Sequence, residues 1–178
     1  MSNWFERKFS FDFPVTIFPS ILERLRGTPA RLEETINSLS PSILTTQVDN
    51  GWSIQENVGH LLDLEPLHEG RIDDFLSHAK VLRAADLQNR KTKEANHNTQ
   101  QIKRLLSSFR SARLNFVKRL EELDENTISR TAIHPRLNKP MRLIDMAFFT
   151  AEHDDHHLAT ITGLAKRLQG KKIGAERA

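Results

Sequence analysis

The chain contains no cysteine and no tyrosine, and only seven glycines and seven prolines among 178 residues. Without cysteine there can be no disulfide, no thiolate metal site and no cysteine nucleophile, so any metal must be held by His, Asp or Glu. So little glycine and proline leaves no room for collagen-like or low-complexity sequence. The apolar runs are only a few residues long, too short to span a bilayer. The N-terminal stretch sets Glu6, Arg7 and Lys8 among Trp4, Phe5 and Phe9, with no apolar export region; a cytoplasmic protein is expected. At 38% hydrophobic and 28% charged residues, the chain is long enough for one core and short for two, which predicts a single domain over residues 1–178.

An excess of one charge is also missing. Lysine plus arginine number 26 against 23 acids, yet the isoelectric point is about 9.4, because without tyrosine or cysteine almost nothing titrates between histidine and lysine. The most basic stretch, Arg83 to Lys103, is interrupted by Asp86 and Glu94. No nucleic-acid footprint results, and a small-molecule partner is expected in place of nucleic acid or membrane.

What is present is helical periodicity. After an arm carrying Phe9, Phe11, Phe13, Pro14, Phe18 and Pro19, apolar residues recur at Ile21, Leu22, Leu25, Leu32, Ile36 and Leu39. Gly27-Thr28-Pro29 allows either one kinked helix or two short ones. Residues 40–52 read as a loop. Ser53-Ile54-Gln55-Glu56 fits a capping box and predicts a second helix, bent at Pro66, whose stripe runs through Leu61, Leu64, Leu67, Ile72, Phe75, Ala79 and Leu82. Trp52, with Asn57 opposite it, makes no hydrophobic staple and is free to pack elsewhere. A third helix is predicted from about Thr99 to Leu123, a loop or short hairpin from Asp124 to Pro140, and a fourth helix from about Arg142 to Arg167, followed by a frayed basic tail. Four long amphipathic helices without a strand ladder predict an all-α four-helix bundle.

Eight histidines supply the chemistry. In Glu152-His153-Asp154-Asp155-His156-His157, a turn of about 100° per residue puts His153 and His157 in the middle of the core-facing stripe, Asp155 outward and His156 near the edge. Two imidazoles four residues apart stand on one face and can share an ion. The pair has the spacing of H-E-x-x-H with Asp in place of the base, but only Glu176 lies downstream as a further ligand, so a third ligand must come from an upstream helix. His60 is the first candidate and His68 its rival. Glu56, Asp63 and Asp154 are the carboxylates close enough in sequence to orient a ligand or accept a proton. His78, His97 and His134 fall on polar or loop segments and read as solvated.

Gly51-Trp52-Ser53-Ile54-Gln55-Glu56-Asn57-Val58-Gly59-His60-Leu61 and Ala151-Glu152-His153-Asp154-Asp155-His156-His157-Leu158-Ala159-Thr160-Ile161 together resemble the paired signatures of the DinB/YfiT-like superfamily. The segment from His134-Pro135-Arg136 to Met141 resembles the stretch before the last helix in that family. The resemblance implies a four-helix bundle, often a homodimer, with a divalent metal, nickel or zinc, held by three histidines. By position these are His60, His153 and His157. It further implies a metal-dependent hydrolase acting on a small substrate, with a low-molecular-weight-thiol S-transferase as the alternative and a non-catalytic metal-binding or stress-response bundle as a third.

Overall fold

Four long helices carry the chain: α1 (Phe18–Asn37), α2 (Ile54–Leu76), α3 (Ile102–Glu121) and α4 (Leu143–Ala175). The computed structural model describes the backbone of residues 4–175 and the side chains of residues 4–170. Between α3 and α4 lies the hairpin β1 (Thr131–His134) and β2 (Lys139–Arg142), with Thr131 opposite Arg142 and His134 opposite Lys139. The all-α bundle expected from the sequence is therefore the architecture, with this hairpin as its one small sheet among the described residues. No described helix is long and apolar enough to cross a membrane.

Local chemistry explains the boundaries. Pro29 lies inside α1 without dividing it; the preceding Thr28 turns its hydroxyl back to the Arg24 carbonyl at 3.1 Å, and α1 is one helix. Ser53 and Glu56 form the capping box that starts α2, the carboxylate accepting from the Ser53 amide at 2.7 Å. The predicted extension of α2 through Ala79 and Leu82 is incorrect. The chain turns at His78, whose φ is 57°, and Leu82 reaches the core from an extended segment, its amide donating to Ile133 at 3.0 Å while Val81 pairs with Ile133. An apolar residue in helical phase can be buried from either conformation. The segment 40–52 contains one helical turn, Pro41–Leu44. Helix α4 continues past its predicted end at Arg167 and through Gly170, a residue that costs a helix only about 1 kcal/mol. Of the basic tail, residues 176–178 lie outside the described residues.

Helix α1 packs on α3 and α4, and α2 packs on α3 and α4, so consecutive α1 and α2 face each other across a diagonal. One apolar cluster, including Leu25, Phe75, Phe116 and Met146, fills one end of the bundle, and another, including Leu32, Val58, Phe109 and Ile161, fills the other. A polar centre joins all four helices. Arg113 of α3, fully buried, pairs with Glu65 of α2 at 2.6 Å and with Asp154 of α4, and Asp154 also accepts from the Thr28 hydroxyl of α1 at 2.9 Å. Burial works against the Arg113 cation, but the two carboxylates override it and raise its pKa. Burial pushes Glu65 up to about 7 despite Arg113.

Candidate metal centre

Helices α2 and α4 place His60, His153 and His157 so that one ring nitrogen from each lies within 4.8 Å of the others. The tautomers of His157 and His60 follow from their hydrogen bonds. Asn57, one turn before His60, donates from Nδ2 to the Ser53 carbonyl at 2.7 Å, which turns Oδ1 toward His157 Nδ1 at 2.8 Å. An amide oxygen only accepts, so His157 carries its proton on Nδ1 and presents a bare lone pair at Nε2. Likewise, the Thr92 hydroxyl gives its proton to Asp63 at 2.9 Å and so accepts from His60 Nδ1 at 3.0 Å. His60 Nε2 is then also bare. His97 holds the other side of the relay, its Nε2 lying 2.8 Å from Asp63.

The third imidazole completes the set. His153 Nε2 lies 3.3 Å from His157 Nε2, the separation of two nitrogens each about 2.0–2.1 Å from one tetrahedral ion, which is about 3.3 Å. Burial pushes the His60 pKa down to about 4, with Asp63 opposing and His97 reinforcing the shift. His153 and His157 lie well below the usual imidazole range, through burial first, and then through His60 for His153 and through His153 and His60 for His157. Neutral imidazoles with converging lone pairs are the form that ligates a divalent ion.

Trp52 tilts over His60 with ring centroids 4.7 Å apart and lies nearly parallel to His157 at 6.2 Å. From the other side, Trp4 meets His153 edge-on at 4.9 Å. Both indoles line a cavity of about 630 Å³ onto which the three histidines open.

The other sequence candidates separate. His68 is buried and lines the cavity but stands outside the cluster; His156 lines the cavity beside His157. Of the three carboxylates named as able to orient a ligand or accept a proton, none lines the cavity. Glu56 is spent on the helix cap and on Gln47. Asp154 is fully buried against Arg113 in the polar centre. Asp63 orients His60 through Thr92. His97 and His134, read as solvated, are each only 3% exposed, since hydrogen bonds and aromatic contacts bury them where apolar periodicity is silent; His78 is exposed as expected.

Sequence reasoning missed Asn57, Thr92 and His97. Asn57 was readable, lying three residues before His60 on the same helical face. Thr92 lies on the short helix Arg90–Glu94 and His97 begins the 3-10 turn His97–Thr99, both too brief to carry a periodic signal. Gly59 is what admits His97: a Cβ there would lie 2.2 Å from His97 Cγ.

The sequence profile of the DinB superfamily matches residues 24–161. Among solved structures, YfiT from Bacillus subtilis, described as a probable metal-dependent hydrolase with an unusual four-helix bundle topology, superposes with a TM-score of 0.81 at 22% identity, covering 92% of this chain and 94% of its own. A mycothiol-dependent maleylpyruvate isomerase matches with a TM-score of 0.65 at 10% identity, covering 83% of this chain and 60% of its own. A search of the curated proteins finds no match. At these identities the structural likeness speaks for the fold, and the profile, spanning most of the sequence, speaks for the family. The chain belongs to the DinB superfamily.

Proposed function

We propose that the protein is a metalloenzyme in which His60, His153 and His157 hold a divalent ion, nickel or zinc, and that it hydrolyses a small substrate bound in the adjoining cavity. The observation that carries this is the pair of fixed tautomers. Asn57 and the Thr92–Asp63 relay each commit an Nδ1 proton outward, so that His157 and His60 aim bare Nε2 atoms at a common point. Orientation of ligating imidazoles through their second nitrogen is how metal sites are tuned. A divalent ion there supplies Lewis acidity, making a water or thiol proton acidic near neutral pH. The two tryptophans wall the site, and Trp52 limits approach to the face of His60.

A second reading, a low-molecular-weight-thiol S-transferase, is favoured by two observations. The cavity, at about 630 Å³, has room for two reactants, and among the described residues Asp86 is its only carboxylate-bearing lining residue, paired with Arg90 at 3.1 Å. A thiol activated by the ion needs no separate carboxylate base. The YfiT likeness supports the first reading and the mycothiol-dependent isomerase the second.

Metal analysis of protein purified without a chelating tag, followed by paired assays, decides between them. Turnover of ester or amide substrates that disappears in His60→Ala supports hydrolysis. Conjugation of a model electrophile by bacillithiol, mycothiol or glutathione that disappears in the same variant supports transfer. Protein that takes up neither zinc nor nickel would leave a non-catalytic bundle.

A further inference from the structure

Beyond the three histidines the cavity is also lined by buried N–H groups of His134 and Arg136 that have no acceptor among the described residues. His134 closes β1, and its Nδ1 accepts from the Leu137 amide at 3.2 Å. A neutral imidazole that accepts at Nδ1 carries its proton on Nε2, and that Nε2–H is buried without a partner among the described residues. Arg136, in the hairpin turn, stands over the rings of Phe5 and Phe149, each at 5.4 Å, and its Nη2 is likewise buried without a partner. From the opposite wall, α2 contributes Arg71, buried and held by the Arg83 carbonyl at 3.3 Å from both Nε and Nη2. It also contributes His68, whose Nδ1 is buried without a partner among the described residues. All four residues line the same cavity as the histidine cluster.

Neither Arg71 nor Arg136 forms an ion pair among the described residues. Burial, aided by Arg136 and Arg83 and opposed by Asp74, pushes Arg71 down to about 10. A guanidinium with an unpartnered buried N–H, lining the same cavity as a second guanidinium that has no ion pair among the described residues, is an unfavourable arrangement when empty and a favourable one around a negatively charged acceptor.

We propose that Arg71, Arg136 and the Nε2–H of His134 form a subsite for an anionic oxygen group of the substrate, a carboxylate, phosphate or sulfonate. Its distance from the metal centre sets the substrate's length. Arg136 lies 6.0 Å from the Trp4 ring, which itself stands 4.9 Å from the His153 ring, and Leu64 and Leu67 line the cavity along α2 between His60 and Arg71. The substrate is therefore an elongated molecule with an apolar middle, its anionic end roughly 10 Å from the reacting bond. This identification rests on the cavity being the substrate site of the proposed metalloenzyme, but its test does not require metal.

Hexane-1-sulfonate is a suitable probe, because a sulfonate is a poor ligand for divalent ions. Trp4 and Trp52 are the chain's only tryptophans and both line the cavity, so binding is read by intrinsic fluorescence, with calorimetry as the independent measure. The expected result is saturable binding of one sulfonate per chain, unchanged by EDTA and retained in His157→Ala. Hexan-1-ol should bind at least tenfold more weakly. Arg136→Leu, at a half-buried turn position, should lose at least tenfold in affinity, and Arg136→Lys less. Equal binding of the alcohol, full binding by Arg136→Leu, or no binding at millimolar sulfonate would each overturn the proposal. Sulfonate binding by a protein that takes no metal would refute the metalloenzyme and leave the subsite standing. Metal uptake without sulfonate binding would do the reverse.

Discussion

Asn57 fixes the tautomer of His157: its Oδ1 lies 2.8 Å from His157 Nδ1 while its Nδ2 is tied to the Ser53 carbonyl at 2.7 Å. The cap residue of α2 thereby reaches His157 on α4 through one amide. Asn57→Ala frees the His157 ring to rotate and to change its tautomer. Metal affinity should fall by about 10–100-fold, the usual effect of removing an outer partner of a ligating imidazole. A competition titration against a chelator measures it, and wild-type affinity in the variant would show that the amide has no role in ligation.

His157→Ala should abolish metal binding and the metal-induced rise in melting temperature, whereas His156→Ala should preserve both. A ligand that binds only the folded state stabilises it by about 2.7 kcal/mol at a hundred times its Kd, which a melting curve resolves readily. The two residues are neighbours in sequence, but only His157 belongs to the nitrogen cluster. If the His156 change is the damaging one, the assignment of the α4 face is wrong.

The three clustered histidines were legible in the sequence: 3.6 residues per turn put His153 and His157 on one face, the missing downstream ligand pointed back to α2, and the family resemblance set His60 above His68. The groups that orient them were only partly legible. Thr92 and His97 lie on a segment without a repeating pattern, and they are buried by hydrogen bonds to Asp63 rather than by apolar side chains. The same blindness made Leu82 look helical, since its burial is in phase with α2 although its backbone pairs with the hairpin.

Gly59 and Gly163 should respond in opposite directions to the same substitution. At Gly59 an added Cβ would meet the buried ring of His97 at 2.2 Å, while at Gly163 nothing lies within 4 Å. Gly59→Ala should therefore displace His97 from Asp63, costing about 1–3 kcal/mol as overpacking does, and should weaken metal binding. Gly163→Ala should stabilise α4 by up to about 1 kcal/mol through helix propensity and leave metal binding unchanged. Chemical denaturation of the two variants gives both signs, and a stabilising Gly59→Ala would contradict the close approach of His97.

Asp154 is a test of structural against catalytic assignment. Its carboxylate is fully buried against Arg113 and Thr28 and lies off the cavity. Asp154→Asn leaves Arg113 with Glu65 alone, and breaking a buried pair from one side costs about 3–5 kcal/mol when the partner loses its compensation entirely; the remaining Glu65 should hold the loss toward the lower end. The melting temperature should fall markedly, with metal stoichiometry retained at temperatures where the variant is folded. Stability close to wild type with loss of turnover would return Asp154 to the list of catalytic groups.

The pH dependence of stability should carry a contribution from His134. Burial first, then the positive charges of Arg71 on α2 and Arg136 in the hairpin turn, push its pKa down to about 4, against a backbone hydrogen bond that raises it. The unfolded chain, with an ordinary imidazole near 6.5, binds the proton more readily between those values. Stability from this group is thus fully present above about pH 6.5 and is lost as the pH falls toward 4, amounting to on the order of 2 kcal/mol at pH 5. His134→Asn keeps an acceptor for the Leu137 amide but does not titrate. Wild type should lose more stability than this variant between pH 7.5 and pH 5, and equal losses would show that His134 is not held neutral by its surroundings. Hexane-1-sulfonate should narrow the gap, because an anion between Arg71 and Arg136 offsets the charges that disfavour a protonated His134.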